Sequence, residues 1–199
     1  MPDVPELSVV IPAMNEEENV RNMHDRLVAA LEPVVDGLEI VWVDDGSTDS
    51  TWEKVSEIAA TDPRVRGLSF SRNFGHQAAV TAGVDAARGR AVAIIDADLQ
   101  DPPEVIAEMV VKWREGYEVV YGQRAHREGE TWFKKVSAAA FYRTLRRLAH
   151  IEIPLDTGDF RLMGPKALEA YRALPEHNRF VRGLVSWIGF PQAAVLFHR

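Results

Sequence analysis

Three carboxylates fall within six residues where an apolar run ends. They are Asp96, Asp98 and Asp101, with Gln100 between them, in "AVAIIDADLQDPPEVI" over residues 91–106. Like charges about 4 Å apart repel by about 4 kcal/mol at a surface-like dielectric. Water, a basic partner or a bound cation must offset that repulsion. Asp and Gln oxygens are hard ligands suited to Mg2+ or Mn2+, ions that keep several waters and also bind phosphate oxygens. The competing reading is local: Asp101, ahead of Pro102 and Pro103, forms a turn and caps the next helix. Asp-x-Asp alone is a weak motif, so its place in the fold has to decide.

Other residue types capable of chemistry lie at similar junctions. Asn15 and Glu16 follow one apolar run, Asp44 and Asp45 a second, Arg72 and Asn73 a third, and Arg124 a fifth. Each has a plain structural alternative. Asn15 can cap a helix, with Glu18 three residues on as in a capping box. Asp44-Asp45-Gly46 can be an Asp-Gly turn. Arg72 can be a solvated arginine, and His76 reads as a packed or capping residue.

The elements that must position these residues alternate. "LSVVIP" (7–12), "LEIVWV" (38–43), "VRGLSF" (65–70), "AVAII" (91–95) and "YEVVYGQR" (117–124) read as strands. Helices are expected between them, over 15–31, 47–60, 75–88 and 103–116. The third is rich in small residues and suits close packing on a sheet. Alternation to about residue 124 implies a mostly parallel sheet with helices on both faces, the α/β class. Ligands bind such sheets beyond the carboxyl ends of the strands, which is where the chemical residues cluster. After residue 124 the pattern changes. Residues 131–151 read as a helix that is either interfacial or buried, 156–163 as a loop entering a strand, and 165–174 and 179–189 as further helices.

The 199 residues suit one domain. The net charge of −7 hides an asymmetry. Residues 1–120 hold 10 Lys/Arg against 23 Asp/Glu, and residues 121–199 hold 13 against 7. The basic second part suits an anionic partner, and the acidic first part opposes nucleic-acid binding. With no cysteine, disulfides and thiolate metal sites are excluded. The N-terminus lacks the basic start of a signal peptide, and no apolar run reaches the ~18–20 residues of a membrane span, so the sequence reads as soluble. Neither a P-loop nor a G-x-G-x-x-G follows a strand, and no G-x-S-x-G is present. An acidic rim repels a bare diphosphate, and a divalent cation would reconcile the two.

"VVIPAMNEEENV", "IVWVDDGSTDST", "SRNFGHQAAVTAGVDAARG", "IIDADLQDPPE", "VVYGQR", "DTGDFRLM" and "RFVRGLVSWIGF" occur in that order. Together they resemble glycosyltransferase family 2 with the GT-A (Rossmann-like) fold. Within it they look most like the polyprenyl-phosphate glycosyltransferases, the group similar to dolichol-phosphate mannose synthase and bactoprenol glucosyltransferase.

The resemblance implies metal-dependent, inverting transfer of a sugar from a UDP- or GDP-linked donor to a polyprenyl phosphate. It implies a cytoplasmic location, at the inner face of the membrane in a full-length form. Asp96, Asp98 and Gln100 would hold Mg2+ or Mn2+. Pro12, Ala13, Asn15, Glu16, Asp44, Asp45, Arg72, Asp96 and Ala97 match nucleotide-binding segments. Arg124, Lys134, Lys135, Ser137 and Arg161 fall on the acceptor-phosphate side. Asp98, Arg124 and Asp159 or Asp156 would carry the transfer. Residues 1–124 would form the nucleotide-sugar half and residues 125–199 the acceptor side of the same domain, without the transmembrane helices that often follow in the family. Homo-oligomerisation stays open. Three other readings remain: a family 2 transferase acting on a sugar hydroxyl, a nucleotide-sugar-binding module without turnover, and phosphoryl transfer through an aspartyl-phosphate pair.

Overall fold

The structure is a computed structural model, and it describes residues 4–125, 158–176 and 179–198. The helix expected over 131–151, and with it Lys134, Lys135, Ser137 and Asp156, lies outside the described residues.

Seven strands of the described residues form one sheet: β1 (Leu7–Ala13), β2 (Leu38–Asp44), β3 (Val65–Ser69), β4 (Ala91–Ile94), β5 (Val119–Arg124), β6 (Arg161–Met163) and β7 (Gln192–Phe197). Among the described residues, six helices flank it: α1 (Val20–Leu31), α2 (Thr51–Thr61), α3 (His76–Ala86), α4 (Val105–Arg114), α5 (Pro165–Arg172) and α6 (Val181–Trp187). The strand order is β3-β2-β1-β4-β6-β5-β7. All pairings are parallel except those of β6, which runs antiparallel between β4 and β5. The expected mostly parallel α/β sheet is therefore present, with strands from both parts of the chain in one sheet.

Every residue of β1 and β2 is buried, as a sheet covered on both faces requires. Alternation sends Leu7, Val9, Ile11, Ile40 and Trp42 to one face, under α1, α2 and α4. Val10, Val41 and Val43 go to the other face, under α3, α5 and α6. Full burial of each such side chain contributes about 1.5–3 kcal/mol. The small-residue helix packs closely, as its composition suggests. A Cβ on Gly83 would lie 2.3 Å from a Val10 methyl, so only glycine lets α3 approach β1 this far.

Two capping expectations are corrected. Asn15 does not cap α1, which begins at Val20 after Asn19. Asn15 sits at φ 56°, and its side-chain oxygen accepts from the Thr48 N–H and hydroxyl. It ties the loop after β1 to the loop after β2. Asp101 does not cap α4, whose N-cap is Glu104 with no side-chain cap bond. Asp101 is buried and accepts from Arg124 at 2.9 Å, because a full cation is a stronger partner for a buried carboxylate than a helix N–H. No described helix is long and apolar enough to cross a membrane.

Candidate active site

The order of strands reverses between β1 and β4, and a cavity of about 400 Å3 opens there beyond their carboxyl ends. Pro12, Ala13, Met14 and Glu16 supply the wall after β1, and Asp45 the wall after β2. Asn73, His76 and Ala79 come from the β3 loop and α3, and Asp96, Ala97 and Asp98 follow β4.

Backbone devices hold these residues. The Asp45 carboxylate accepts from the Phe74 N–H at 2.7 Å and the Gly75 N–H at 3.0 Å, fixing the turn into α3. Gly46, at φ 72°, lies against that same loop, and a Cβ there would fall 2.4 Å from the Arg72 carbonyl carbon. The Glu16 N–H donates to the Thr51 hydroxyl at 2.8 Å, and its carboxylate accepts from the Asn19 amide at 2.7 Å. Leu99, at φ 58°, turns the chain so that the Gln100 N–H donates to Asp98 Oδ1 at 3.0 Å.

The antiparallel strand brings in a residue from far along the sequence. Ile94 pairs with Arg161, so two further steps of that register set Asp159 opposite Asp96. His76 lies between them, its Nε2 3.1 Å from Asp159 Oδ2 and 3.6 Å from Asp96 Oδ1. Gln77 also donates to Asp159 Oδ2, at 2.7 Å. Arg182 Nε stands 3.6 Å from Asp159 Oδ1.

Charge states follow from these contacts. The hydrogen bond to Asp159 raises the His76 pKa against the opposing effect of burial, with help from the Asp96 charge. Burial pushes the Asp159 carboxyl up, yet His76, Arg161, Arg182 and Gln77 together pull it down to about 2. Burial raises Asp96 above the ordinary aspartate value; His76 opposes this, while Asp159, Asp98 and Asp101 add to it. Among the described residues Asp96 Oδ1 has no hydrogen-bond partner and is buried, a costly state that a bound cation would relieve.

Several expected residues stand elsewhere. Asp44 is buried beneath the turn, accepting from the Ser47 N–H and the Ser69 hydroxyl, and is not on the wall. Arg72 is exposed and stacks on Phe74, 3.9 Å from the ring centre. Gln100 is exposed, off the wall. Arg124 is paired with Asp101. Arg161 is buried and donates to the Gly158 and Asp159 carbonyls. Burial lowers its pKa to about 10. His76 corrects the sequence reading: it is a half-exposed wall residue between two carboxylates, not a packed or capping one. Gln77 and Arg182 were not foreseen. Their only sequence signal is membership of the "SRNFGHQAAV" and "RFVRGLVSW" segments.

Among the described residues, no three His, Cys, Asp or Glu side chains converge as a metal cluster. Asp96 and Asp98 still fit a divalent ion that takes one or two carboxylates and fills its shell with water and phosphate oxygens. The unpartnered Asp96 oxygen and its raised pKa are the observations that favour such an ion.

The family model for glycosyl transferase family 2 matches residues 8–172. An uncharacterized glycosyltransferase of Bacillus subtilis (strain 168), YkcC, is 53% identical over 192 residues, covering 96% of this chain and 59% of that protein. The bactoprenol glucosyl transferase of Shigella phage SfV is 39% identical over 183 residues, covering 92% and 60%. The chain thus spans about three fifths of the length of these curated relatives. Among solved structures, the mannosyltransferase PcManGT of Pyrobaculum calidifontis, in complex with GDP-Man and Mn2+, superposes with a TM-score of 0.67. It is 22% identical, and the match covers 98% of this chain and 56% of that one, a likeness of fold.

Proposed function

The chain belongs to glycosyltransferase family 2, and from that premise we propose that it is the catalytic part of an enzyme moving a sugar from a nucleoside diphosphate sugar to a polyprenyl phosphate. The donor is UDP- or GDP-linked, and the reaction inverts the anomeric centre. Pro12, Ala13, Glu16, Asp45 and Ala97 receive the nucleoside. Asp96 and Asp98 hold Mg2+ or Mn2+, with the Gln100 N–H orienting Asp98. When bound, the ion neutralises charge on the donor diphosphate.

The observation that carries the acceptor assignment is the set of partners on Asp159: His76 and Gln77 on its Oδ2, and Arg182 Nε 3.6 Å from its Oδ1. A carboxyl held at about 2 is a poor proton acceptor near neutral pH. A sugar hydroxyl needs a base, whereas a phosphate is already anionic. Asp159 therefore suits orienting and electrostatic work, and a phosphate suits the acceptor. The acceptor oxygen attacks the anomeric carbon in line and the nucleoside diphosphate leaves. The obstacle is two anions meeting, so cations fixed in advance lower the barrier most. Arg124 is assigned to this side with Lys134, Lys135 and Ser137, and the Asp101 carboxylate holds it in place meanwhile. The relative named for bactoprenol supports a polyprenyl acceptor, and with it a membrane-surface location.

The test is a panel of UDP- and GDP-sugars, each with Mg2+ or Mn2+, scored for transfer to short polyprenyl phosphates and to free sugars. Transfer to polyprenyl phosphate is expected. Transfer to sugar hydroxyls alone would replace this reading with the base-dependent one, and donor binding without turnover would favour a binding module.

A further inference from the structure

Gln77, the second residue of α3, touches two elements at once. Its Nε2 donates to Asp159 Oδ2 at 2.7 Å, and its Oε1 accepts from the Val181 N–H at 3.0 Å. The chemistry of the partners fixes which end of the amide is which: an ionised carboxylate only accepts and a backbone N–H only donates. Val181 opens α6, whose N-cap Phe180 makes no side-chain cap bond. The first N–H groups of a helix lack partners within it, and Gln77 supplies one from another element.

The two groups held this way face each other. Asp159 Oδ1 and Arg182 Nε are 3.6 Å apart, and neither buried atom has a hydrogen-bond partner among the described residues. Arg182 follows Val181 directly, so the placement of α6 sets its guanidinium. Asp159 precedes β6, so only tertiary contacts bring the two groups together.

We propose that Gln77 is a positioning residue for sugar transfer, fixing Asp159 and the start of α6 as one unit. This rests on the reading of Asp159 as an orienting group for transfer. The facing atoms, Asp159 Oδ1 and Arg182 Nε, make no hydrogen bond among the described residues, so their 3.6 Å spacing is kept only while each group is held by its other contacts. A misplacement of about 1 Å at such a site costs on the order of 100-fold in rate.

The test uses two variants that each keep half of the clamp. Gln77→Glu keeps the acceptor for Val181 and loses the donor to Asp159. Gln77→Lys keeps a donor for Asp159 and loses the acceptor. Both are measured alone and with Asp159→Asn, for kcat and donor KM, for UDP and GDP affinity by calorimetry, and for urea unfolding. A positioning role lowers kcat at least about tenfold in both, leaves nucleotide affinity within about twofold, and disappears in the Asp159→Asn background. A wild-type kcat in either variant overturns it. So does a loss that persists undiminished with Asp159→Asn, or one that only follows unfolding. The rate is taken on whichever acceptor of the panel the wild type uses, or on donor hydrolysis. Failure of the polyprenyl reading therefore shows as a change of acceptor, and failure of the Gln77 proposal as variants that match wild type.

Discussion

Glu39 and Asp96 are carboxylates at opposite ends of the same sheet. Glu39 is buried and accepts from the Ser8 hydroxyl at 2.5 Å, the Arg88 N–H at 2.8 Å and Arg66 at 2.9 Å. Burial pushes its pKa up, but these partners bring it below the ordinary glutamate value. Glu6, at the same end, is gripped by Arg114 and the Asp36 N–H. Among the described residues Asp96 has no such partners: one oxygen is orphaned, His76 stands 3.6 Å away, and other carboxylates crowd it. The fold can satisfy a buried acid when it serves only stability. The acid left unsatisfied at the other end is what the proposed metal and donor would engage.

The largest effects should separate the two ends by activity. Asp98→Ala, and equally Asp96→Asn, should lower transfer by at least about 100-fold, the size expected when charge stabilisation is lost at a reacting centre. Asp96→Asn removes a repelled charge, so urea unfolding should show stability unchanged or slightly increased. A variant that kept its activity and lost stability would erase the contrast. At the other end, Glu39→Ala should behave oppositely. It leaves the Arg66 guanidinium and the Ser8 hydroxyl without their buried partner, at a cost of about 2–3 kcal/mol in urea unfolding. Donor affinity in the folded variant should match wild type.

These opposite roles were only partly legible in the sequence. The five strands and the helices between them were readable because breakers bound each apolar run and the periods differ. Carboxyl-end placement of Asp45, Asp96 and Asp98 followed from alternation alone. Pairings between distant residues were not readable. Nothing local in "DTGDFRLM" says that β6 runs antiparallel beside β4, and that register is what sets Asp159 opposite Asp96. His76 looked like a packing residue because its partner lies 83 residues away. Asn15 and Asp101 looked like caps because capping is the local use of those residue types. Thr48 and Arg124 recruited them instead through tertiary contacts.

Ligand addition sharpens the contrast from the candidate-site end. UDP or GDP with Mn2+ at about 100 times its dissociation constant should stabilise the wild type by about 2.7 kcal/mol. For a chain of this size that is a rise of several degrees in melting temperature, on the order of 5–10 °C. Asp98→Ala should lose most of the metal-dependent part, while Glu39→Ala, starting from a lower melting temperature, should gain the full increment. An equal gain in Asp98→Ala would show that the metal is held elsewhere.

The smallest effect is a pH dependence at the arginine-paired end. Because the folded pKa of Glu39 lies below its ordinary 4.5, its ionised form is favoured by folding. That stability is complete above the unfolded value and is lost as pH falls through the folded one. Glu39→Gln removes the titration while keeping the size and part of the hydrogen bonding, so it should cost less than Glu39→Ala, about 1 kcal/mol at pH 7. The gap between wild type and Glu39→Gln should hold from pH 7 down to about 4.5 and then close, since protonated Glu39 and the substituted amide are both neutral. Urea unfolding at half-unit steps from pH 3 to 7 would follow it. A gap that stayed constant through pH 3 would mean the arginine pairing contributes shape and not charge. The end of the sheet opposite the candidate site would then owe its stability to packing, and the two ends would differ less in electrostatics than their contacts imply.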